Sequence, residues 1–218
     1  MATFYKQSME NWPRAESFYY YSQMAPTSYS ITVKLRVTKL RQQAKYKQIK
    51  FFPAYLYAVS RVISQLQELK LAIKDETLGF WDYLNPVYPQ FHPEDQTVSL
   101  LWTEYSTNFS EFYQRYLADV QTFGTDRGML TKKGPPPENA YVISCIPWFS
   151  FDSFSLQHHQ LKDYYFPSFE AGKFIQQDDE WYMPLAINAH HAATDGYQLK
   201  VFLEQLQELM DQGEDWLD

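Results

Sequence analysis

A paired histidine, His190-His191, closes an apolar run and is followed four residues later by Asp195-Gly196. Neutral imidazole can take a proton near pH 7, so the pair suits general-base work wherever the fold aims one ring into a cleft. Asp195 is then a candidate to orient the base, as in a triad. The plain alternative is a pair of satisfied core histidines, and spacing alone leaves both readings open. Ser144-Cys145 sets a hydroxyl beside the chain's single thiol. Strand neighbours point to opposite faces, so the thiol is directed away from Ser144, which by itself reads as an ordinary strand serine. His158-His159 lacks a spaced third ligand and reads as loop histidines, so no metal is expected. Asn108-Phe109-Ser110 matches a glycosylation sequon, which has no role in a cytosolic chain.

The elements around the first pair give it a place. The run from Met183 to His190 is mostly apolar and lies between a proline and the Asp-Gly turn, predicting a buried strand. Beyond it Leu199, Phe202, Leu203, Leu206 and Leu209 recur at helical spacing, with Asp195 or Gly196 as the cap. The histidines therefore end a strand just before a turn into a helix. Alternation predicts that His190 and His191 face opposite sides.

Upstream, residues 28–38 alternate polar and apolar as a half-exposed strand. Pro53 opens a helix with Tyr57, Val59, Val62, Ile63 and Leu66 along one stripe. Short strands are predicted over 78–81 and 97–103, a helix over 110–123, and strands over 140–146 and 180–190. Residues 125–139, with Gly128, Gly134 and three consecutive prolines, read as a surface loop near the substrate site. No repeat appears. The order of elements predicts an α/β (α+β) two-layer sandwich, in one domain spanning 1–218.

Composition narrows the function. The chain of 218 residues is long enough for a sizeable core, and its formal charge of −7 disfavours binding to phosphate backbones, so no nucleic-acid partner is expected. One cysteine excludes an intrachain disulfide and fits a reducing compartment. No signal-peptide pattern opens the sequence, and no apolar run approaches the ~20 residues that span a bilayer, so a cytoplasmic protein without membrane contact is expected. An aromatic content of 18% is high, and points to aromatic-walled pockets, a large subunit contact, or simply an aromatic core.

His190-His191-Ala192-Ala193-Thr194-Asp195-Gly196 resembles the HHxxxDG signature of the chloramphenicol acetyltransferases and the wider coenzyme A-dependent acyltransferases. Residues 11–18, Asn-Trp-Pro-Arg-Ala-Glu-Ser-Phe, are similar to the family's W-x-R-x-E-x-F segment, and residues 143–154 to its S-x-x-P-W-x-x-F-x-x-F block. Pro184-Leu185-Ala186-Ile187 and the terminal Leu203–Leu209 stretch also fit, and the blocks keep family order from about residue 8 to residue 211.

The resemblance implies a large mixed β-sheet flanked by helices, a homotrimer with its site at the subunit boundary, and acetyl-CoA as co-substrate. It makes His191 the general base on an acceptor hydroxyl that attacks the thioester directly, with no acyl-enzyme, and leaves His190 structural. Ser144 becomes the donor to the oxyanion. Asp195 is implied to pair with Arg14 as a buried support of the site rather than to orient His191. Lys50, Trp148, Lys173 and Phe174 fall at the cofactor-binding positions. Tyr21, Ala25, Thr27, Tyr29, Val98, Phe154 and Leu156 fall in the acceptor pocket for a small hydrophobic alcohol such as chloramphenicol. Several residues depart from the pattern. Ala25 replaces a leucine, Val98 a phenylalanine and Thr27 a cysteine, while Val87 and Pro89 replace polar residues. Glu170 stands for a threonine near the oxyanion. These departures leave open a different hydrophobic alcohol as acceptor, and a non-catalytic binding descendant is the reading from another class.

Overall fold

The computed structural model describes residues 2–156 and 163–217, and His158-His159 lies outside them. In chain order the elements are β1 (Phe4–Lys6), α1 (Ala15–Tyr19), which runs on as a π-helical turn (Tyr20–Met24), β2 (Ser28–Arg36), α2 (Thr38–Tyr46) and α3 (Phe51–Gln65). There follow β3 (Leu71–Lys74), β4 (Thr77–Trp81), β5 (Asn85–His92), β6 (Thr97–Trp102) and α4 (Phe109–Phe123). The chain continues through β7 (Ala140–Ile146), β8 (Ser168–Gly172), β9 (Ile175–Gln177), β10 (Glu180–His190) and α5 (Gly196–Asp211).

The main sheet has the order β2-β10-β8-β7-β5-β6, with β9 added beside β10, and a small sheet has the order β1-β4-β3. Pairing is parallel between β8 and β7 and between β7 and β5, and antiparallel elsewhere, so the predicted large mixed sheet is present. Most expected elements stand within a residue or two of their predicted bounds. β5 was not expected, because Pro86 and Pro89 argue against an interior strand. Pro86 is accepted near the first residue of the strand, opposite Tyr141, and the parallel ladder to β7 ends at Val87, leaving Pro89 beyond it. Pro184 likewise sits inside β10 rather than bounding it, at a point that the β8 ladder, beginning at Leu185, does not reach.

One face of the sheet carries Leu35, Tyr141, Ile143, Phe169, Leu185, Ile187 and Ala189 into the core against the helices. α3 is buried along most of its length from Pro53 to Ile63, because it lies between α2, α4, α5 and the sheet. Each fully buried Leu, Ile or Phe there contributes about 1.5–3 kcal/mol. The strand period of two places Ser30, Thr32, Ser144, Ser168, Glu170, Ala186, Asn188 and His190 on the opposite face. That polar face is where chemistry has room.

The loop over residues 125–139 is not beside the histidines. It runs along the outer edge of β6, with a bridge from Leu100 to Leu130 and Lys133 Nζ bound to Asp119 Oδ1 (2.5 Å) and the Trp102 carbonyl (2.9 Å). β6 is four strands from β10, so within one chain this loop lies at the Val98 end of the sheet and not at the His191 end. Among the described residues no helix is long and apolar enough to cross a membrane.

Candidate active site

His190 is the last residue of β10 and His191 the first beyond it. The His191 N–H donates to the Thr27 carbonyl (2.8 Å), so the entry to β2 pins the turn. The two rings part company as alternation predicts. His190 Nδ1 accepts from the Ala192 N–H (3.1 Å) and its ring meets Tyr165 edge-on, which is a structural role. Burial, with His191 beside it, pushes the His190 imidazole below its ordinary range. The His191 ring stacks face to face on Tyr21, with centroids 3.9 Å apart and planes 3° from parallel, and Tyr29 flanks it at 5.2 Å. Its Nδ1 is buried without a partner among the described residues. Aromatic packing, not a carboxylate, holds this base candidate in place.

Asp195 has other work. Its Oδ2 accepts from Arg14 Nη1 at 2.6 Å, and its Oδ1 from the Tyr197 N–H at 2.9 Å. Gln198 Oε1 takes the Asp195 N–H (3.0 Å), completing a capping box at the start of α5. Arg14 Nη2 also reaches the His191 carbonyl (3.4 Å), tying α1 to the histidine turn. The triad alternative therefore fails on geometry, and the pairing implied by the family resemblance is present. The pair is only partly buried, with side-chain exposures of 13% and 39%, which corrects the expectation of a buried one.

Burial works against the Asp195 charge, but the Arg14 hydrogen bond, the Tyr197 N–H and nearby positive charge outweigh it, holding the carboxyl below its ordinary range. A depressed carboxyl contributes stability that is present above its unfolded pKa of about 3.9 and is lost as pH falls through the folded value. Arg14→Ala and Asp195→Ala should each cost about 1–3 kcal/mol, less than for a buried pair because water screens the aspartate. Thermal melts should show losses smaller in the double variant than in the sum of the singles, and a weaker acid destabilisation in Asp195→Ala. Additive losses would show that the two side chains do not act together.

The structure divides the remaining predicted residues into separate groups. Tyr21, Ala25, Thr27 and Tyr29 gather around His191. The Tyr29 hydroxyl bonds Thr194 Oγ1 (3.2 Å), and burial raises its pKa. Thr27 Oγ1 donates to the Ala25 carbonyl (2.7 Å), so its proton is committed within the turn and it offers a ligand mainly its methyl group.

Ser144 lies elsewhere. It pairs with Glu170, Glu170 pairs with Ala186, and His191 stands five residues beyond Ala186. At about 3.4 Å per residue and about 4.8 Å per strand, the two Cα positions are roughly 20 Å apart within one chain. The cofactor candidates lie at that far end too. The Lys173 N–H donates to the Phe149 carbonyl next to Trp148 (3.0 Å), Phe174 packs edge-on against Phe51 (4.8 Å), and Lys50 precedes α3 as an exposed residue. Trp148 meets Phe91 at 4.9 Å, and Phe91 pairs with Val98, so Val98 belongs to this end and not to the His191 group. Phe154 and Leu156 are held over the polar face, their N–H groups donating to Thr32 Oγ1 (3.3 Å) and Asn188 Oδ1 (3.0 Å). Cys145 turns to the core face, and burial raises its thiol to about 11, too high for a nucleophile near neutrality.

Sequence reasoning missed Asn188, Thr194, Gln198 and Arg41. Asn188 links Ser30, Leu156, Ser168 and Glu170 in one buried polar cluster. Arg41 lies over both Phe174 (4.7 Å) and Trp181 (3.9 Å). Only Asn188 carried a signal, as a polar residue inside an apolar strand.

The chain is similar to known proteins over nearly its whole length. The family model for chloramphenicol acetyltransferase matches residues 2–207. The chain is 38% identical over 215 residues to a chloramphenicol acetyltransferase of Staphylococcus aureus, covering 98% of this chain and 99% of that one. It is 38% identical over 208 residues to one of Campylobacter coli, covering 95% and 98%. A solved chloramphenicol acetyltransferase superposes with a TM-score of 0.86 at 24% identity, covering 95% of this chain and all of that one. The chain is an acyltransferase of the chloramphenicol acetyltransferase family.

Proposed function

We propose that this chain transfers the acetyl group of acetyl-CoA to a hydroxyl of chloramphenicol in a ternary complex, without an acyl-enzyme. His191 takes the hydroxyl proton as the oxygen attacks the thioester carbonyl, and Ser144 donates to the oxyanion that forms. Collapse of the tetrahedral intermediate expels the coenzyme A thiolate, which receives the proton from His191. The observation that carries the reading is the His191 ring, fixed face to face on Tyr21 among aromatic walls, with its Nδ1 unbonded among the described residues. Such a ring can accept a proton beside an apolar acceptor.

His191 and Ser144 act on one substrate only if they come from different chains, since roughly 20 Å separates them within one. The separation supports a closed homo-oligomer, for which we propose a trimer, in which each boundary unites the His191 group of one protomer with the Ser144 and cofactor groups of its neighbour. Lys50, Trp148, Lys173 and Phe174 bind coenzyme A at that boundary, in the cytoplasm.

Acceptor choice is the point where this chain departs from its relatives. Ala25 and Val98 remove bulk, and each missing apolar contact costs roughly 1–3 kcal/mol of discrimination. Following thiol release from acetyl-CoA across a panel of alcohols, we expect chloramphenicol to react with a raised KM and other hydrophobic alcohols to be used comparably. Ala25→Leu and Val98→Phe should lower that KM about tenfold or more. A tight KM in the unmodified enzyme, worsened by the added bulk, would mean that the pocket is not widened. Absence of thiol release with every alcohol would overturn the activity itself.

A further inference from the structure

Glu170 is 2% exposed and sits on the polar face of the sheet between Asn188 on β10 and Ser144 on β7. Asn188 has no freedom in how it meets Glu170. Its Oδ1 accepts from Ser30 Oγ (2.5 Å) and the Leu156 N–H (3.0 Å), so its amide N–H groups turn to Ser168 Oγ (3.2 Å) and Glu170 Oε2 (2.7 Å). The other carboxyl oxygen, Oε1, is buried with no partner. Ser144 stands directly across the parallel ladder, and its hydroxyl makes no hydrogen bond among the described residues.

The groups near Glu170 offer its charge nothing. The titratable side chains that sense it are Tyr55 of α3 and Tyr164 ahead of β8, both raised by burial and neither a cation, and Cys145 points to the opposite face. No lysine, arginine or histidine among the described residues offsets the ionised form. Burial pushes the carboxyl up to about 7, against the pull of Ser168 and Asn188.

We propose that Glu170 is a positioning residue that works as a neutral acid: when the Ser144 rotamer turns toward it in the working site, the unbonded Oε1 donates to Ser144 Oγ and leaves the serine's one proton aimed at the oxyanion. A serine hydroxyl has a single proton and two lone pairs, so what its neighbour does decides where that proton points. Neutral Glu170 fills a lone pair. Ionised Glu170 would accept the proton itself and turn the donor away from the reacting carbonyl. The proposal rests on Ser144 being the oxyanion donor, and it goes beyond that reading by making the donor conditional on the protonation of Glu170.

The sign follows from the raised value. The competent neutral form prevails below about pH 7 and is lost above it. With saturating acetyl-CoA and acceptor, kcat of the unmodified oligomer should fall at least tenfold between about pH 7 and about pH 9, since a lost oxyanion donor costs on the order of 10²–10³-fold. Glu170→Gln keeps an acceptor for Asn188 and a permanent donor for Ser144. It should hold kcat within about threefold at neutrality and abolish the alkaline fall, with KM for acetyl-CoA unchanged. Infrared spectra should show a protonated-carboxyl band that fades as pH rises through about 7 and is missing in Glu170→Gln. A flat profile in the unmodified enzyme, or an alkaline fall that survives in Glu170→Gln, would overturn the inference. Ser144→Ala separates the two claims. If it turns over at the normal rate, the oxyanion reading fails whatever Glu170 does. If it is slow and also lacks the alkaline fall, Glu170 acts through Ser144, whereas a slow variant that keeps the fall sinks this inference alone.

Discussion

His191→Ala should lower kcat for acetyl transfer by about 10²–10⁴-fold or more while leaving the melting temperature and assembly close to normal, because positioned proton transfer alone contributes that much. The ring is held by stacking on Tyr21 and by contact with Tyr29, both at the half-exposed end of β10, so removing it opens little core. Stopped-time assays of thiol release, paired with thermal melts, check both halves. His190→Ala is the contrast. Its Nδ1 serves the Ala192 N–H, so its loss should cost about 1–2 kcal/mol of stability and proportionately less turnover. Equal kinetic damage from the two substitutions, or near-normal turnover in His191→Ala, would reject the assignment of the base.

The second large effect is complementation between two dead enzymes. Ser144→Ala should be slowed by on the order of 10²–10³-fold, the cost of one oxyanion donor. When His191→Ala and Ser144→Ala chains are unfolded together and refolded in equal amounts, a boundary with both groups intact forms wherever a Ser144→Ala chain lends its His191 to a His191→Ala neighbour. In a closed ring that occurs at roughly one boundary in four, so activity should climb to about a quarter of normal from two nearly inactive parents. Sedimentation of the unmodified protein should show the trimer. Recovery no greater than the sum of the parents, or full activity in a monomer, would place both residues in one chain's site and contradict their separation across the sheet.

Local pattern made much of this protein legible. The apolar run to His190 gave a buried strand, because alternate positions had to enter a core. The spacing of Leu199, Phe202 and Leu206 gave the helix after it, with Asp195 as its cap. Those elements, with their punctuation by proline and Asp-Gly, set His191 at a strand end before a turn. What pattern could not supply was contact between residues far apart in the chain. Arg14 meets Asp195 across 181 positions, and Tyr29 flanks His191 only because β2 lies beside β10. The missed strand β5 was decided the same way, since Pro89 is harmless only where the ladder to β7 has already ended.

Glu170 makes the division sharpest. In the sequence it is one acidic residue among 26 acidic side chains, and acidic residues ordinarily face water. Its burial, its one bonded and one unbonded oxygen, and its place opposite Ser144 follow from β8 being sandwiched between β10 and β7. The sequence by itself determined which residue types were present and, where the pattern is strong as in β2, α3, β10 and α5, which element would carry them and which side they would face, because those depend on periods of two and 3.6 residues. Strand order and register were decided only by the tertiary structure, because the gain from closing long loops comes from packing distant side chains that no local period records.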